Sequence, residues 1–185
     1  MNTVSRRGLI IAVTAVVLLG LGAGLAWFQP WKLWVDETVS ESLPTGVVSP
    51  ATPSAQSPAA SAAPVPAAPR AVASGELISH EHSTSGTVRL VRLPDGTHIL
   101  RLENLDTSNG PDLRVWLTDA PVKKGEAGWH VFDDGRYLSL GKLKGNKGDQ
   151  NYALPEGTDL ARFTSVSIWC DRFDVSFGAA ALTRI

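Results

Sequence analysis

The sequence predicts an all-β domain, a single antiparallel β-sandwich or barrel-like fold, after one N-terminal transmembrane helix and a disordered linker. Three observations lead to this prediction. From residue 75 onward, apolar residues recur with a period of two, and turn residues interrupt them frequently. No window in that region carries a helical stripe longer than a couple of turns. The connections are short, as they are between adjacent antiparallel strands, and 75–185 has the size of one domain.

The N-terminal segment predicts a membrane helix. Arg6 and Arg7 precede an uncharged, largely apolar run over 8–28, which is long enough to cross the hydrocarbon core. The arginines indicate that residues 1–7 are cytoplasmic, and 29–41 then forms a juxtamembrane segment outside. Two alternatives are a cleavable signal, for which the site before Trp27 is poor, and a twin-arginine export signal. We expect a retained single-pass anchor with the C-terminal domain on the extracytoplasmic side.

The segment 42–74 consists mainly of Pro, Ala, Ser and Thr, with almost no charged or aromatic residue. Such a composition cannot bury enough apolar surface to fold, and repeated prolines favour extended polyproline II. Fully stretched, this linker would reach on the order of 100 Å. We therefore predict a disordered stalk that lifts the domain off the bilayer.

The β domain divides into short predicted strands separated by turn signals. The sequence Pro94-Asp95-Gly96 between two of them is a strong hairpin signal, and a Gly-rich basic stretch over 141–150 is interpreted as a tight hairpin with solvated lysines. In chain order the predicted strands are 76–79, 87–93, 97–103, 112–118, 136–140, 150–154, 166–170, 174–177 and 179–183.

Composition and spacing argue against several functions. The chain has 17 Lys and Arg against 18 Asp and Glu, and this near balance does not favour nucleic acid as a partner. The Gly-rich stretch lacks the order of a phosphate-binding Walker loop. No Ser-His-Asp or Cys-His-Asn arrangement is recognisable from spacing, so a hydrolase is a weak hypothesis.

Cys170 is the only cysteine in the chain and the leading candidate for chemistry. Alternation places Val166, Ile168 and Cys170 on one face of a strand, and Ser167 with Trp169 on the other, which we expect to be solvated. The thiol should then point into the core, where a cysteine behaves as an inert hydrophobe. The alternative is a redox thiol or a ligand, which needs a metal, a positive neighbour or partial exposure.

His80 and His82 are the second candidate set. Two residues apart on a strand, they would face the same way, as a metal-binding pair does. No histidine follows Cys170 as a blue-copper site would require, and no Cys-x-x-Cys-His motif for covalent haem exists. Haem ligation by Cys170 or His82 alone stays open, as does a solvated strand end for both histidines.

A set of short motifs across the domain resembles a known family. The string Leu140-Gly141-Lys142-Leu143-Lys144-Gly145-Asn146 is among them, and so is Val166-Ser167-Ile168-Trp169-Cys170. Others are Ser85-Gly86-Thr87-Val88 and Ser108-Asn109-Gly110-Pro111-Asp112-Leu113. Together they resemble the DM-thirteen domain, the electron-transfer DM domain, over nearly all of 75–182.

The resemblance implies a redox role for the cysteine matched by Cys170, as a bare thiol or as a ligand of a prosthetic group such as haem. It also implies that the family's histidine, matched by His82, takes part in binding such a group, whereas His80 is outside the pattern. In bacteria the domain is similar to a stand-alone exported module. We thus expect a membrane-tethered redox module with an unknown redox or cell-surface protein partner. The alternative is a non-enzymatic binding or structural β domain whose buried cysteine is inert.

Overall fold

The computed structural model describes residues 6–44 and 68–185, which contain one α-helix, eleven strands and two short 3-10 helices. Helix α1 runs over Arg6–Phe28, and the 3-10 helices are Pro30–Trp34 and Glu126–Gly128. The strands in chain order are β1 (Thr38–Ser40), β2 (Arg70–Glu76), β3 (Ile78–Ser79), β4 (Ser85–Arg92), β5 (His98–Asp106), β6 (Leu113–Thr118), β7 (Tyr137–Lys142), β8 (Lys147–Ala153), β9 (Ser165–Cys170), β10 (Val175–Ala181) and β11 (Thr183–Arg184).

Two open sheets form the domain. Sheet A has the order β1-β8-β5-β4-β2-β11, and sheet B has the order β3-β10-β9-β6-β7. Among the described residues the pairings are antiparallel, except that β1 runs parallel to β8. The prediction of an all-β fold is confirmed, and the architecture is a sandwich of two sheets rather than a closed barrel.

Helix α1 is largely apolar after Arg6 and Arg7, with a mean hydropathy of 2.5 over its best window, and none of that window is buried against the domain. It is long enough to cross a membrane. Because signal sequences near an N-terminus share this character, the helix is a candidate membrane span or a candidate signal sequence.

The inner cluster fills the space between the sheets. It is built from the inward-facing apolar residues of both sheets, because side chains alternate between the two faces of a strand. Its completely buried members are Ala73, Val88, Leu90, Leu100, Leu102, Val115, Leu117, Val166, Ile168, Cys170 and Ala180.

The opposite face of sheet B is also covered, and we call the residues there the outer cluster: Trp116, Ala120, Phe132, Trp169 and Ala179. The connection between β6 and β7 supplies Ala120 and Phe132, which pack over the central strands. Ser167 and Trp169 are accordingly 0% and 1% exposed. The prediction that their face of β9 is solvated is therefore wrong, because a segment remote in sequence shields it.

Several strand boundaries differ from the sequence prediction. Strand β2 begins at Arg70, within the range that was assigned to the linker. The prediction missed this start because Ala71-Val72-Ala73-Ser74 resembles the linker in composition. The predicted strands 174–177 and 179–183 form one strand, β10, with an irregularity between Ser176 and Gly178, and a short β11. The Gly-rich stretch is not a hairpin, since β7 and β8 belong to different sheets. Most of the predicted linker, residues 45–67, lies outside the described residues.

Candidate functional site

Cys170 is the last residue of β9, a strand with neighbours on both sides. Its Cα partners are Leu113 on β6 and Val175 on β10. The side chain belongs to the inner cluster and is 0% exposed. The sequence expectation that the thiol points into the core therefore agrees with its position, although Asp171 directly after it is exposed.

The environment of Cys170 keeps the sulfur protonated. Burial raises the pKa of the thiol, because an apolar surrounding disfavours the thiolate. Hydrogen bonds from main-chain amides, chiefly that of Arg172, oppose this rise, and the negative charge of Glu81 adds to it. The thiolate is the nucleophile and the metal ligand in cysteine chemistry. An enclosed neutral thiol is thus poorly suited to nucleophilic attack or to metal binding.

His80 lies on a bend after β3 and points toward the outer cluster. Its Nδ1 is 2.8 Å from the hydroxyl of Ser176, its Nε2 is 3.0 Å from the carbonyl oxygen of Lys123, and its ring stacks on Phe132 at 5.7 Å between centroids. Burial lowers the pKa of His80. In the neutral ring, Nε2–H donates to the Lys123 carbonyl and Nδ1 accepts from Ser176, so both nitrogens are already engaged.

His82 lies on the same bend but contacts the inner cluster instead. Its ring is tilted against Phe177, with 3.9 Å between ring centroids, and its Nε2 is 3.7 Å from a carboxylate oxygen of Glu81. The two histidines therefore do not share one face of a strand, as the sequence analysis expected. Their i and i+2 spacing predicts a shared face only in extended backbone, and a bend separates them.

The residues around Cys170 do not fit a haem or a metal ion. The sulfur is enclosed by packed side chains of the inner cluster, and His82 covers Phe177, another member of that cluster. A macrocycle next to the sulfur would displace these side chains. Among the described residues, no group of three or more His, Cys, Asp or Glu side chains could hold a metal ion.

An aromatic stack is the feature of the site that the sequence analysis missed. The ring of Tyr137, which is 47% exposed, stacks on Trp116 at 3.9 Å, and Trp116 stacks on Trp169 at 4.8 Å. Trp169 directly precedes Cys170. Alternation did place Trp169 on the face of its strand opposite to Cys170. Only the register of β6 against β9 and β7 brings the rings together, and a single sequence does not reveal that register.

These observations define a class of protein: a two-sheet β domain, preceded by a candidate membrane span, with one thiol closed between the sheets. Residues 76–182 match the family model described as Electron transfer DM13. Because this match covers more than half of the chain, the protein belongs to that family, and the resemblance drawn from the sequence motifs is confirmed. Neither the comparison with curated proteins nor that with solved structures gave a match.

Proposed function

We propose that the protein is a membrane-tethered, extracytoplasmic electron-transfer module whose redox centre is Cys170. The observation that carries the proposal is the family match over 76–182, which assigns an electron-transfer domain to the region containing the only cysteine. Helix α1 would be the retained anchor, with the N-terminal arginines on the cytoplasmic side. The partner would be another redox protein at the cell surface.

The aromatic stack supports this function because it leads from the surface to the residue that precedes Cys170. Tyr137 is exposed at one end, Trp116 stacks between, and Trp169 at the other end is joined to Cys170 through the main chain, since its ring and the thiol lie on opposite faces of β9. The π-systems of stacked aromatic rings are in direct contact, so the stack offers a continuous path of π-electrons through the protein. A partner that docks over Tyr137 would therefore exchange electrons with the thiol through the stacked rings and the main chain between Trp169 and Cys170, without approaching the sulfur.

The protonation state of Cys170 determines how many protons are released for each electron. Since burial raises its pKa, the sulfur begins as a thiol. In the oxidation, the thiol loses one electron to a one-electron oxidant, the partner's redox centre, and loses its proton to solvent, which leaves a thiyl radical. Coupling of one proton to one electron lowers the reduction potential by about 59 mV for each unit of pH.

Voltammetry of the full chain in detergent tests the proposal. We expect a reversible wave whose midpoint potential falls by about 59 mV per pH unit. The wave should disappear in Cys170→Ala, and the rate of electron transfer should be lower in Trp116→Leu. Trp129→Leu is the matched control, because Trp129 packs against the inner cluster outside the stack. Circular dichroism verifies that each variant is folded. A folded wild-type protein without a wave, or a wave that survives Cys170→Ala, contradicts the proposal.

A second candidate function is a non-enzymatic binding or structural domain with an inert cysteine. The observation that favours it is the complete enclosure of the protonated thiol. It predicts that the native protein shows no wave and that Cys170 reacts with an alkylating reagent only after unfolding. Alkylation of the native protein at a rate comparable to that of the unfolded chain would contradict this alternative.

A further inference from the structure

The segment 36–42, which includes strand β1, is part of the β domain. Strand β1 pairs with the edge strand β8 in parallel, with Val39 opposite Gly148. The main chain extends this pairing at both ends, where Lys147 N–H donates to Glu37 O at 3.2 Å and Glu41 N–H donates to Asp149 O at 3.0 Å. An unpaired β8 would be an exposed sheet edge, which proteins commonly cover.

A buried amide of the domain is bonded mainly to this segment. Asn146 is 1% exposed, and its side-chain oxygen accepts a hydrogen bond from the N–H of Glu37 at 2.7 Å. Its Nδ2 donates to Asp36 and to the carbonyl of Thr107, both at 2.8 Å. Removal of the segment would leave a buried acceptor without this partner, which is unfavourable.

Glu41 makes a second set of polar contacts. Its carboxylate accepts hydrogen bonds from Lys144 Nζ at 2.7 Å and from the N–H of Asn151 at 2.7 Å. Arg101, itself buried, donates to the Glu41 carbonyl at 2.9 Å. The ammonium of Lys144 lowers the pKa of the Glu41 carboxyl. The segment is thus held by Arg101 of β5, by the main chain of β8 at Asn151 and by Lys144 in the connection between β7 and β8.

Two glycines make room for the segment. A Cβ at Gly145 would collide with the carbonyl oxygen of Glu37, and a Cβ at Gly148 would collide with that of Val39. Backbone approach this close is possible only where the side chain is absent. The surface of the domain is therefore shaped for the main chain of this segment.

The connection from β1 to β2 begins and ends on the same sheet. From the pairings along β1-β8-β5-β4-β2, strands β1 and β2 run antiparallel, so the end of β1 and the start of β2 lie at one end of sheet A. Four strand spacings separate them, about 19 Å. On the other side of β1, only residues 29–37 join it to α1, a reach of at most about 30 Å.

The end of the domain that carries Cys170 is the one beside the helix. In the turn after β9, Arg172 donates from Nη1 to the Trp27 carbonyl at 2.6 Å, and its guanidinium lies 4.4 Å from the Trp27 ring. In the same turn, the ring of Phe173 stacks on Phe28 at 6.2 Å. Arg172 and Phe173, which follow Cys170 by two and three residues, thus contact the end of α1.

We infer that residues 36–42 clamp the β domain to the end of α1, so that the short connection 29–37, and not the Pro- and Ala-rich chain beyond β1, sets the distance between helix and domain. The end of β1 and the start of β2 both lie at the end of sheet A opposite the helix. The Cys170 end of the domain then faces the lipid headgroups. This orientation relies on the proposed retention of α1, whereas the clamp does not rely on the electron-transfer function.

Cleavage of the chain between β1 and β2 tests the clamp. The full chain carries an N-terminal affinity tag and a specific protease site within 45–67, and it is held on resin in detergent while the protease acts. We expect the cut wild-type domain to stay on the resin through its contact with β1. In Glu41→Lys, the amount of cut domain that elutes should be at least tenfold larger. Glu37→Lys is the matched control, because Glu37 contacts the domain through its backbone. Immediate elution of the wild-type domain, or equal elution of both variants, overturns the clamp.

Fluorescence quenching in vesicles tests the orientation. An environment-sensitive fluorophore is attached to Ser83→Cys, at the Cys170 end, or to Glu156→Cys, at the opposite end; both residues are exposed. With nitroxide-labelled headgroups we expect strong quenching at 83 and little at 156. Equal quenching overturns the orientation. Neither readout depends on redox chemistry, so failure of the electron-transfer proposal would leave both results unchanged.

Discussion

The two faces of strand β9 are equally buried but are built from different chemistry. Toward sheet A, Val166, Ile168 and Cys170 join an aliphatic cluster between two sheets. On the opposite face, Ser167 and Trp169 lie among aromatic rings and hydroxyl groups beneath the connection between β6 and β7. The inner face is stabilised mainly by apolar burial, and the outer face also depends on ring stacking and hydrogen bonds. The lone thiol therefore lies on the face that is stabilised mainly by apolar burial.

The largest effect is expected on the outer face, from Trp169→Ala. Trp169 is 1% exposed, stacks on Trp116 and meets Phe132 edge-on at 6.4 Å. Loss of so large a buried ring should reduce the free energy of unfolding by about 3–5 kcal/mol. Chemical denaturation monitored by circular dichroism measures this. Trp31→Ala, at an exposed position outside the domain, is the control. A loss below about 1 kcal/mol would show that the outer face contributes little to stability.

A smaller effect is expected on the inner face, from changes at Cys170. Cys170→Ala should reduce the free energy of unfolding by about 1–3 kcal/mol, because a small buried side chain leaves a small cavity. Cys170→Ser should cost more than Cys170→Ala, since its hydroxyl would be buried in an aliphatic cluster. Urea denaturation of both variants measures the order. If Cys170→Ser were the more stable variant, the thiol would have a polar environment, contrary to its place in the inner cluster.

Local patterns predicted the inner face well and the outer face poorly. Alternation in β9 correctly directed Val166, Ile168 and Cys170 inward, and the Pro94-Asp95-Gly96 turn lies between β4 and β5 as expected, with Gly96 N–H bonded to Leu93 O. Both are local properties of the chain.

The outer face depends instead on contacts between residues that are distant in sequence. Phe132 covers Trp169, and His80 reaches Ser176 on another strand of sheet B. No periodicity reveals these contacts. The same limit explains why β1 was not predicted, since three residues form a strand only because the edge of β8 receives them.

The smallest effect is expected from the polar part of the outer face, through pH. His80 packs on Phe132 and bonds to Ser176, whose hydroxyl also accepts a hydrogen bond from Ser167 at 2.9 Å. Burial lowers the pKa of His80, so between its folded value and the unfolded value near 6.5 the unfolded chain binds more protons. The contribution of His80 is thus complete above about pH 6.5, and it is lost as the pH falls through the folded pKa.

Unfolding free energies measured between pH 7.5 and pH 5 should therefore fall for the wild type, and His80→Leu should remove part of that fall. Asp36 and Glu41 also titrate with lowered pKa values, but mainly at lower pH, where loss of their charge weakens the segment beside β8. His98→Gln is the matched control, because it changes a histidine outside both clusters and retains His80. Equal slopes for wild type and His80→Leu would mean that the outer face accepts an imidazolium, and that hydrogen bonds to Ser176 and the Lys123 carbonyl compensate for its burial.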